Sequence, residues 1–322
     1  MVLHLFIPGI SPGAQRSGMV AYKEPFTRLL TQGMVCKETL SCPEHGFLFP
    51  EEARPEKDGY VCTKCGAPVT MGRVEKMSKS KKNVIDPNTL LDAYGADTVR
   101  LFCLFAAPPE RDLEWSEQGV DGCFRFLNRI WRLVQDVETK IADADPFDGD
   151  MADLDEDLKK LFQKTHLTIQ KVSSDIEDRF HFNTAISAVM ELVNLMYTMD
   201  LDSGHKETAG VIRKAVESMI LLLSPIVPHF AEELWETLGN ESASLANTPW
   251  PEFREDALVA DTVTMVAQVN GKLRGKFTVD ADADDTVARE KALADDNVQR
   301  FIDGKTIKKI VVVKNKLVNI VV

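Results

Sequence analysis

The middle of the chain, from about residue 116 to residue 239, repeats apolar side chains at the three- and four-residue spacing of amphipathic helices. Polar stretches and prolines separate these segments. Four or five such helices joined by polar loops predict a helical bundle. The first segment has Val120, Phe124, Leu127, Trp131 and Val134 on its apolar face, and the others span Leu161–Ile176, Phe182–Met199, Val211–Leu223 and Ala231–Leu238.

The hydrophobic period changes after a connector at residues 248–256 that contains prolines and a tryptophan. Thr262–Val269 alternates apolar and polar side chains as a half-buried strand does, and Asn270-Gly271 is a strong hairpin-turn signal. A return strand, a helix and two more strands follow, so we predict a small α+β domain over residues 257–322. These elements are predicted at Lys272–Val279, Thr286–Phe301, Ile307–Val313 and Lys316–Val322.

The first third of the chain has a less regular pattern. Residues 6–18 hold two prolines and three glycines and show no clear period. Residues 88–105 are typical of a helix followed by apolar packing, and Pro108-Pro109 breaks the chain there. We therefore expect a separate part over residues 1–110, carrying an insert at residues 36–72, in a multidomain and mainly α protein.

Composition and charge narrow the class of protein. The 322 residues suffice for two or three domains. No apolar run approaches the ~18 residues of a membrane span, so we expect no membrane partner. No secretory signal is visible at the start, so we expect a cytoplasmic protein. The net charge of −12 argues against a nucleic-acid partner, but lysines and arginines cluster locally, and local fields matter more than the total.

Two pairs of potential metal ligands lie in the insert. Cys42-Pro-Glu-His45 and Cys62-Thr-Lys-Cys65 are separated by 16 residues, a spacing that suits a structural zinc ribbon with tetrahedral Zn²⁺. A glycine follows each pair and allows a tight turn. The intervening sequence lacks a hydrophobic core of its own, so metal binding would fold the insert. The alternative is a set of reduced cysteines without a metal.

Four lysines fall within seven residues at Lys76–Lys82, interleaved with Ser78 and Ser80. Several ammonium and hydroxyl groups on one loop can contact a triphosphate. The alternatives are a solvated basic loop and a nuclear-localisation patch.

Two further groups of basic residues are candidates for RNA binding. Arg125, Arg129 and Arg132 follow one another at helical spacing, opposite the predicted apolar face, and could contact phosphates or stack on bases. The alternative for them is a solvated helix face. The last domain carries the other group, whose lysines would otherwise protect exposed strand edges. This second group comprises Lys272, Arg274, Lys276, Lys308 and Lys309.

The run Lys76-Met77-Ser78-Lys79-Ser80 resembles the second signature of class I aminoacyl-tRNA synthetases. These enzymes attach an amino acid to tRNA through an aminoacyl-adenylate. The resemblance implies that the five residues form an ATP-binding loop and that ATP is a substrate, bound together with Mg²⁺. It implies that Lys79 is the principal phosphate-stabilising lysine and that Lys76 assists. Such cations lower the barrier when they meet charge that develops in the transition state.

From Val20 onward the chain resembles bacterial leucyl-tRNA synthetases. Residues 20–35 are similar to their catalytic domain, and Gln268–Lys276 is similar to their C-terminal domain, which reaches the tRNA elbow. The resemblance implies tRNA(Leu) as partner and a helical anticodon-binding domain at residues 111–250. It also implies that the part over residues 1–110 is a partial α/β domain. A regular helix precedes Val20 in that family, so we hypothesise a frameshift in the irregular stretch at residues 6–18.

The resemblance also implies parts that are absent from the sequence. The first class I signature is two histidines two residues apart, and none of the six histidines makes such a pair. The leucine pocket and the editing domain would lie upstream. We therefore expect a monomer that contributes the ATP loop and tRNA-binding domains to leucine activation and transfer, is catalytically incomplete alone, and meets leucine only with the missing N-terminal half.

Two alternatives stay open at this point. The chain could be a stand-alone or split-subunit tRNA-binding module without catalysis. It could also be related to the valyl, isoleucyl or methionyl enzymes, which share the lysine loop. The basic hairpin near the C-terminus argues against that second alternative.

Overall fold

The computed structural model describes residues 30–57, 59–201, 204–240, 244–258, 262–280, 283–314 and 316–322. The hypothesised frameshift at residues 6–18 lies outside the described residues. The chain forms two compact units. The first contains Met1–Ala142, Lys171–Asn194 and Ile220–Pro249, and the second contains Asp143–Gln170, Leu195–Met219 and Trp250–Val322.

A six-stranded sheet dominates the start of the first unit. Its main path has the order β2-β1-β5-β4-β3 with antiparallel neighbours, and β6 pairs with β1 in parallel. Among the described residues, its local hydrophobic cluster has four buried members, Cys42, Leu48, Ala53 and Cys62, with Leu40, Ala67 and Val69 partly buried against them. The far end of this sheet therefore has little apolar burial to stabilise it. The strands are β1 (Val35–Cys42), β2 (Gly46–Leu48), β3 (Ala53–Glu56), β4 (Gly59–Cys62), β5 (Pro68–Lys76) and β6 (Leu113–Glu114).

Helices follow β5 along the chain, and their order agrees with the helical periodicity of the sequence. The segment predicted at residues 88–105 forms two helices, α1 and α2, because Gly95 separates them. None of the helices in the described ranges has an apolar stretch long enough to cross a membrane. The helices are α1 (Pro87–Tyr94), α2 (Ala96–Phe105), α3 (Glu117–Ile141), α4 (Glu156–Glu177), α5 (Phe182–Met196), α6 (Thr208–Leu223) and α7 (Pro228–Thr237).

The apolar face predicted for α3 was partly wrong. Phe124 is 38% exposed and Trp131 is half-buried, although both were assigned to the core face. Their rings instead meet Tyr94 and Phe230, with centroid separations of 5.7 and 6.2 Å. The buried stripe of this 25-residue helix is centred one residue away from the predicted apolar face, because the neighbouring elements pack on that side. The buried residues are Val120, Cys123, Phe126, Leu127, Ile130, Leu133, Val134, Val137 and Ile141.

Two side chains of α2 bind the turn between α6 and α7. Asp97 is buried, and its Oδ2 accepts a 2.6 Å hydrogen bond from the backbone N–H of Phe230 in the first turn of α7. Arg100 donates 3.0 Å hydrogen bonds to the carbonyls of Pro225 and Ile226. Val227 offers no side-chain cap to α7, so the carboxylate from α2 satisfies an N–H that the helix itself leaves open.

The second unit ends in an α+β domain whose four-stranded sheet has the order β8-β7-β10-β9. Asn270 and Gly271 both have positive φ and close the β7–β8 hairpin, as the sequence predicted. The helix predicted at Thr286–Phe301 is two helices, because the Asp295 carboxylate accepts the N–H groups of Asn297 and Val298 and starts a new one. The elements are β7 (Thr262–Val269), β8 (Lys272–Asp280), α8 (Asp285–Ala294), α9 (Asp296–Ile302), β9 (Lys309–Val313) and β10 (Leu317–Val321).

His166 is a buried titratable group in the second unit. Its side chain is fully buried beside Phe162, its Nδ1 accepts the backbone N–H of Arg254 at 3.1 Å, and its Nε2 has no partner among the described residues. Burial, followed by the positive charges of Lys214 and Arg254, lowers the pKa of His166 to about 4. The imidazole is therefore neutral in the folded protein at pH 7.

We expect the free energy of unfolding to fall on acidification from about pH 6.5 to pH 4 because of His166. In this window the imidazole binds a proton in the unfolded state but not in the folded state, because the pKa of His166 is lower in the folded state. His166→Gln should lose this component, about 1.4 kcal/mol per pH unit, in urea unfolding at several pH values. The matched control is His229→Gln, whose imidazole is 83% exposed and which should keep the original slope. Equal slopes for His166→Gln and the unchanged chain would contradict this assignment.

Candidate metal centre and lysine loop

The four predicted metal ligands converge. The ligand atoms of Cys42, His45, Cys62 and Cys65 all lie within 4.8 Å of one another. Cys42 Sγ is 3.5 Å from both His45 Nδ1 and Cys65 Sγ, and Cys62 Sγ is 3.7 Å from the same ring nitrogen. In a tetrahedral site with ~2.3 Å metal–sulfur bonds, sulfur atoms lie about 3.8 Å apart. The cluster therefore has the size of a site for one metal ion.

Strand ends and tight turns position these ligands. Cys42 ends β1 and Cys62 ends β4, and each is followed by a short turn that brings its second ligand back. Gly46 and Gly66 close the two turns with φ near +67° and +73°, a region that favours glycine. The N–H of Gly66 donates to the carbonyl of Cys62 at 2.8 Å.

Hydrogen bonds distribute the negative charge within the cluster. Burial by itself would raise the pKa of Cys42, but hydrogen bonds from His45, from the backbone and from Cys65 lower it to about 6. The pKa of Cys65 rises to about 11, because burial and the neighbouring sulfurs outweigh a hydrogen bond from the backbone of Ala67. Cys42 is thus more easily ionised than Cys65, and thiolates are the form of cysteine that binds metals.

The lysine loop begins where β5 ends, and a buried asparagine organises it. Ser78 caps a single turn of 3-10 helix at Lys79–Lys81. Its backbone N–H donates to Asn83 Oδ1 at 2.9 Å. Asn83 is 2% exposed, and its Nδ2 donates to the carbonyls of Lys37 at 3.0 Å and Glu75 at 3.2 Å. The amide therefore fixes the loop against β1 and β5.

The four lysines of the loop have different surroundings. Lys81 forms an ion pair with Glu75, and Lys82 lies 3.2 Å from Glu52. Lys76 and Lys79 are exposed, and their ammonium groups have no hydrogen-bond or ion-pair partner in the described part of the chain. The structure therefore separates two neutralised lysines from the two that the sequence assigned to phosphate binding.

Sequence reasoning missed three residues around this loop: Asn83, Glu52 and Glu75. An asparagine after a basic run is an ordinary turn residue, and Glu52 lies 30 residues before Lys82. Glu75 directly precedes Lys76, but its position in the sequence does not show which lysine it pairs with. Their roles follow only from the folded path of the loop and of the strands around it.

The arginine stripe of α3 is exposed, as predicted, but two of its members are engaged. Arg125 forms an ion pair with Asp121 at 2.8 Å, and Arg129 donates to Asn194 Oδ1 at 2.9 Å. The exposed ion pair of Arg125 with Asp121 contributes little stability, so a polyanion could displace it.

The basic residues of the last domain do not form one surface. Lys276 is paired with Val266 and Lys309 with Val321, at positions that alternate with the buried core, so both face away from α8 and α9. Arg274 is half-buried, and its guanidinium lies 3.5 Å from the ring centroid of Phe301 in α9. Lys272 and Lys308 are exposed near the strand ends. Lys276 and Lys309 therefore lie on the face of the sheet away from the helices, while Arg274 packs against α9, so the five predicted RNA contacts do not share one face.

The chain is similar to known proteins along most of its length. Residues 159–289 match the family described as the anticodon-binding domain of tRNA ligase, and residues 65–116 match the class I tRNA synthetases for I, L, M and V. The leucine–tRNA ligase of Desulfatibacillum aliphaticivorans is 62% identical over 305 residues, or 95% of this chain. That of Geobacter sp. strain M21 is 48% identical over 322 residues, the whole chain. The chain is a leucine–tRNA ligase homologue, corresponding to the C-terminal portion of that enzyme.

The chain spans about a third of the length of the leucine–tRNA ligases that it matches, 35% and 34% for these two relatives. A solved structure gives the same proportion. The ternary complex of Agrobacterium radiobacter K84 LeuRS, tRNA and LeuAMS superposes with a TM-score of 0.66 at 27% identity, over 98% of this chain and 36% of that one. The resemblance to leucyl enzymes that the sequence indicated is confirmed.

In this leucine–tRNA ligase homologue, Asn83→Ala should loosen the lysine loop. The substitution leaves the N–H of Ser78 and the carbonyls of Lys37 and Glu75 without their partner, a cost of about 1–3 kcal/mol. Limited trypsin digestion should then cut after the loop lysines about 5- to 150-fold faster, because cleavage follows the opened population. Asn88→Ala is the control, since Asn88 is exposed and its side chain bonds, within the described ranges, to Asp86 alone. Equal cleavage rates in the two variants would refute the role of Asn83.

Proposed function

We propose that this chain supplies the ATP-phosphate loop and the tRNA-binding domains of a cytoplasmic leucine–tRNA ligase. The reaction activates leucine with ATP and Mg²⁺ and transfers it to tRNA(Leu). The proposed parts are a catalytic-domain segment over residues 1–110, an anticodon-binding helical domain over residues 111–250 and a tRNA-binding domain over residues 257–322. The similarity to leucine–tRNA ligases along nearly the whole chain supports this division of labour.

The observation that carries the catalytic part is the state of the loop lysines. Lys76 and Lys79 present ammonium groups that no described carboxylate neutralises, while Lys81 and Lys82 are held by Glu75 and Glu52. Adenylate formation adds negative charge at the α-phosphate and at the departing pyrophosphate. Cations on a short, structured loop lower the barrier to that step when they meet this charge. Met77, Ser78 and Ser80 shape the loop, and the Ser78 hydroxyl lies 3.2 Å from that of Ser80.

The metal centre has a structural role in the proposal. Three thiolates and one imidazole fill the coordination sphere of Zn²⁺, so no position remains for a substrate. The zinc would hold the ends of β1 and β4 together where the hydrophobic cluster is small. Binding energy at such a site is folding energy for the insert.

The tRNA-binding part rests on charge and on similarity. The exposed arginines of α3 lie outside the two matched segments, and the basic hairpin lies within the anticodon-binding match. The complex of Agrobacterium radiobacter K84 LeuRS contains tRNA, and we extend that partner to this chain. A tRNA-binding module without catalysis is the second candidate, because residues 159–289 match an anticodon-binding domain.

The purified chain should contain close to one zinc per molecule when it is prepared without chelator. Cys62→Ser should lose the metal and unfold the insert, since two of the four residues in its hydrophobic cluster are themselves ligands. The helices should keep their circular dichroism signal. Cys103→Ser is the control, because Cys103 lies outside the cluster in α2. Metal analysis that finds no zinc in the unchanged chain would refute the site.

The chain should bind a tRNA(Leu) transcript with a strong dependence on salt. Substituting Arg125, Arg129 and Arg132 together with glutamine should weaken binding. It should also reduce the slope of log K against log salt by about 0.7–0.9 for each phosphate that is no longer neutralised. Truncation after Leu258 should do the same. It spares Arg254, which packs on the ring of Phe162. Fluorescence anisotropy at several salt concentrations measures both quantities.

Two controls accompany the tRNA measurement. Lys160→Gln removes a charge from an exposed position on α4 and should leave the slope nearly unchanged. Lys79→Ala should also leave tRNA affinity unchanged, because the proposal assigns that lysine to ATP. If the arginine variant and the truncation both bind as the unchanged chain does, these basic residues are solvated surface and edge protection rather than RNA contacts.

A further inference from the structure

Glu52 lies between the metal centre and the lysine loop and contacts both. It ends a short 3-10 helix, Pro50–Glu52, between β2 and β3. Its carboxylate accepts the N–H of Phe49 at 3.0 Å, which fixes the side chain to its own turn. The side chain is 19% exposed, so its contacts are partly shielded from water. Neither the cysteine spacing nor the lysine signature assigns this residue a role.

On the metal side, Glu52 holds the turn between Cys62 and Cys65. The backbone carbonyl of Glu52 accepts the N–H of Thr63 at 3.0 Å and its hydroxyl at 3.1 Å. The carboxylate accepts Lys64 Nζ at 2.5 Å. The two residues between the ligands are therefore both bonded to Glu52. A change in the conformation of this turn must break or move these bonds.

On the loop side, the same carboxylate holds Lys82 at 3.2 Å. Lys82 ends the 3-10 turn of the loop with φ near +53°, a left-handed conformation that is uncommon for a residue with a side chain. Its ammonium also lies 5.1 Å from the ring centroid of Phe49. Its backbone N–H closes the turn by donating to the carbonyl of Lys79 at 3.3 Å. The contact with Glu52 thus anchors the residue that ends the turn containing Lys79.

We propose that Glu52 is a positioning residue that couples the metal centre to the conformation of the lysine loop. Metal binding orders the turn at Thr63 and Lys64, Glu52 is held by that turn, and Lys82 is held by Glu52. The inference rests on the proposed metal centre, and it adds a route by which that centre acts beyond the insert. Coupling of this kind is reciprocal, so a change in the loop must alter the affinity for the metal by the same factor.

A second route connects the same two sites, and the experiment has to separate them. Strand β5 runs directly from the ribbon to the loop and pairs with β1. Loss of the metal could therefore loosen the loop through the backbone of β5 alone. Only the route through Glu52 depends on the carboxylate and on the Lys82 ammonium.

Hydrogen–deuterium exchange of the full chain, measured by mass spectrometry with bound Zn²⁺ and after chelation with EDTA, tests the coupling. In the unchanged chain, chelation should speed exchange in peptides covering residues 77–83 about tenfold. Glu52→Gln with zinc bound should show this faster loop exchange already, while the ligand turns stay protected. Chelation should then add little. Glu56→Gln is the matched control, because Glu56 lies in the same insert and Arg54 is its single ion-pair partner among the residues that the structure describes.

Lys82 provides the test from the other side. Lys82→Met keeps the length of the side chain and removes the ammonium, and by reciprocity it should weaken zinc binding about tenfold. Lys81→Met is its control, because Lys81 lies in the same loop but pairs with Glu75. Competition with a chromophoric chelator gives the zinc affinity of each variant.

The outcomes separate this inference from the metal centre itself. A chain that binds no zinc overturns both. If zinc is bound but Glu52→Gln responds to chelation as the unchanged chain does, the coupling runs through β5 and the role of Glu52 is refuted. Equal zinc affinity in Lys82→Met and Lys81→Met also refutes it. Unchanged exchange in the helices of Glu52→Gln is expected, and it distinguishes a local positioning role from general destabilisation.

Discussion

The antiparallel pairing of β1 with β5 is the constraint on which the candidate sites depend. One end of β1 is the metal ligand Cys42, and near its other end Cys36 pairs with Lys76, where the lysine loop begins. The ladder that joins the strands therefore sets the position of the loop relative to the ligands. Asn83 extends that ladder into irregular backbone, because its amide replaces hydrogen bonds that a strand would otherwise make.

Ion pairs with nearby carboxylates neutralise two of the four lysines of the loop. Glu75 and Glu52 neutralise Lys81 and Lys82, which leaves Lys76 and Lys79 exposed. A chain with a net charge of −12 can in this way present a small positive region to a phosphate. Glu52 neutralises Lys82 and also positions the turn between the metal ligands Cys62 and Cys65, since it bonds to both residues of that turn.

Helix ends connect the first unit over large distances in sequence. Asp97 satisfies an open N–H of α7, and Arg100 satisfies two carbonyls that follow α6. These bonds join segments more than 120 residues apart. The bonds to Phe230 and Ile226 are partly buried, so their loss would leave unsatisfied groups that cost more than an exposed pair does.

The sequence alone determined the features whose cause is local. Apolar spacing predicted the helices, alternation and Asn270-Gly271 predicted the β7–β8 hairpin, and the spacing of Cys42, His45, Cys62 and Cys65 predicted a cluster that the structure brings together. Local pattern failed at Gly95 and Asp295, where one predicted helix became two, and at Phe124, which a neighbouring element leaves exposed. Only the tertiary structure decided which loop lysines are neutralised, which faces carry the basic residues of the last domain, and that Glu52 touches both the ligand turn and the loop. Those outcomes depend on the folded path of the backbone. Glu75 and Lys81 are six residues apart and Glu52 and Lys82 are thirty apart, and a pattern of neighbouring residues specifies neither contact.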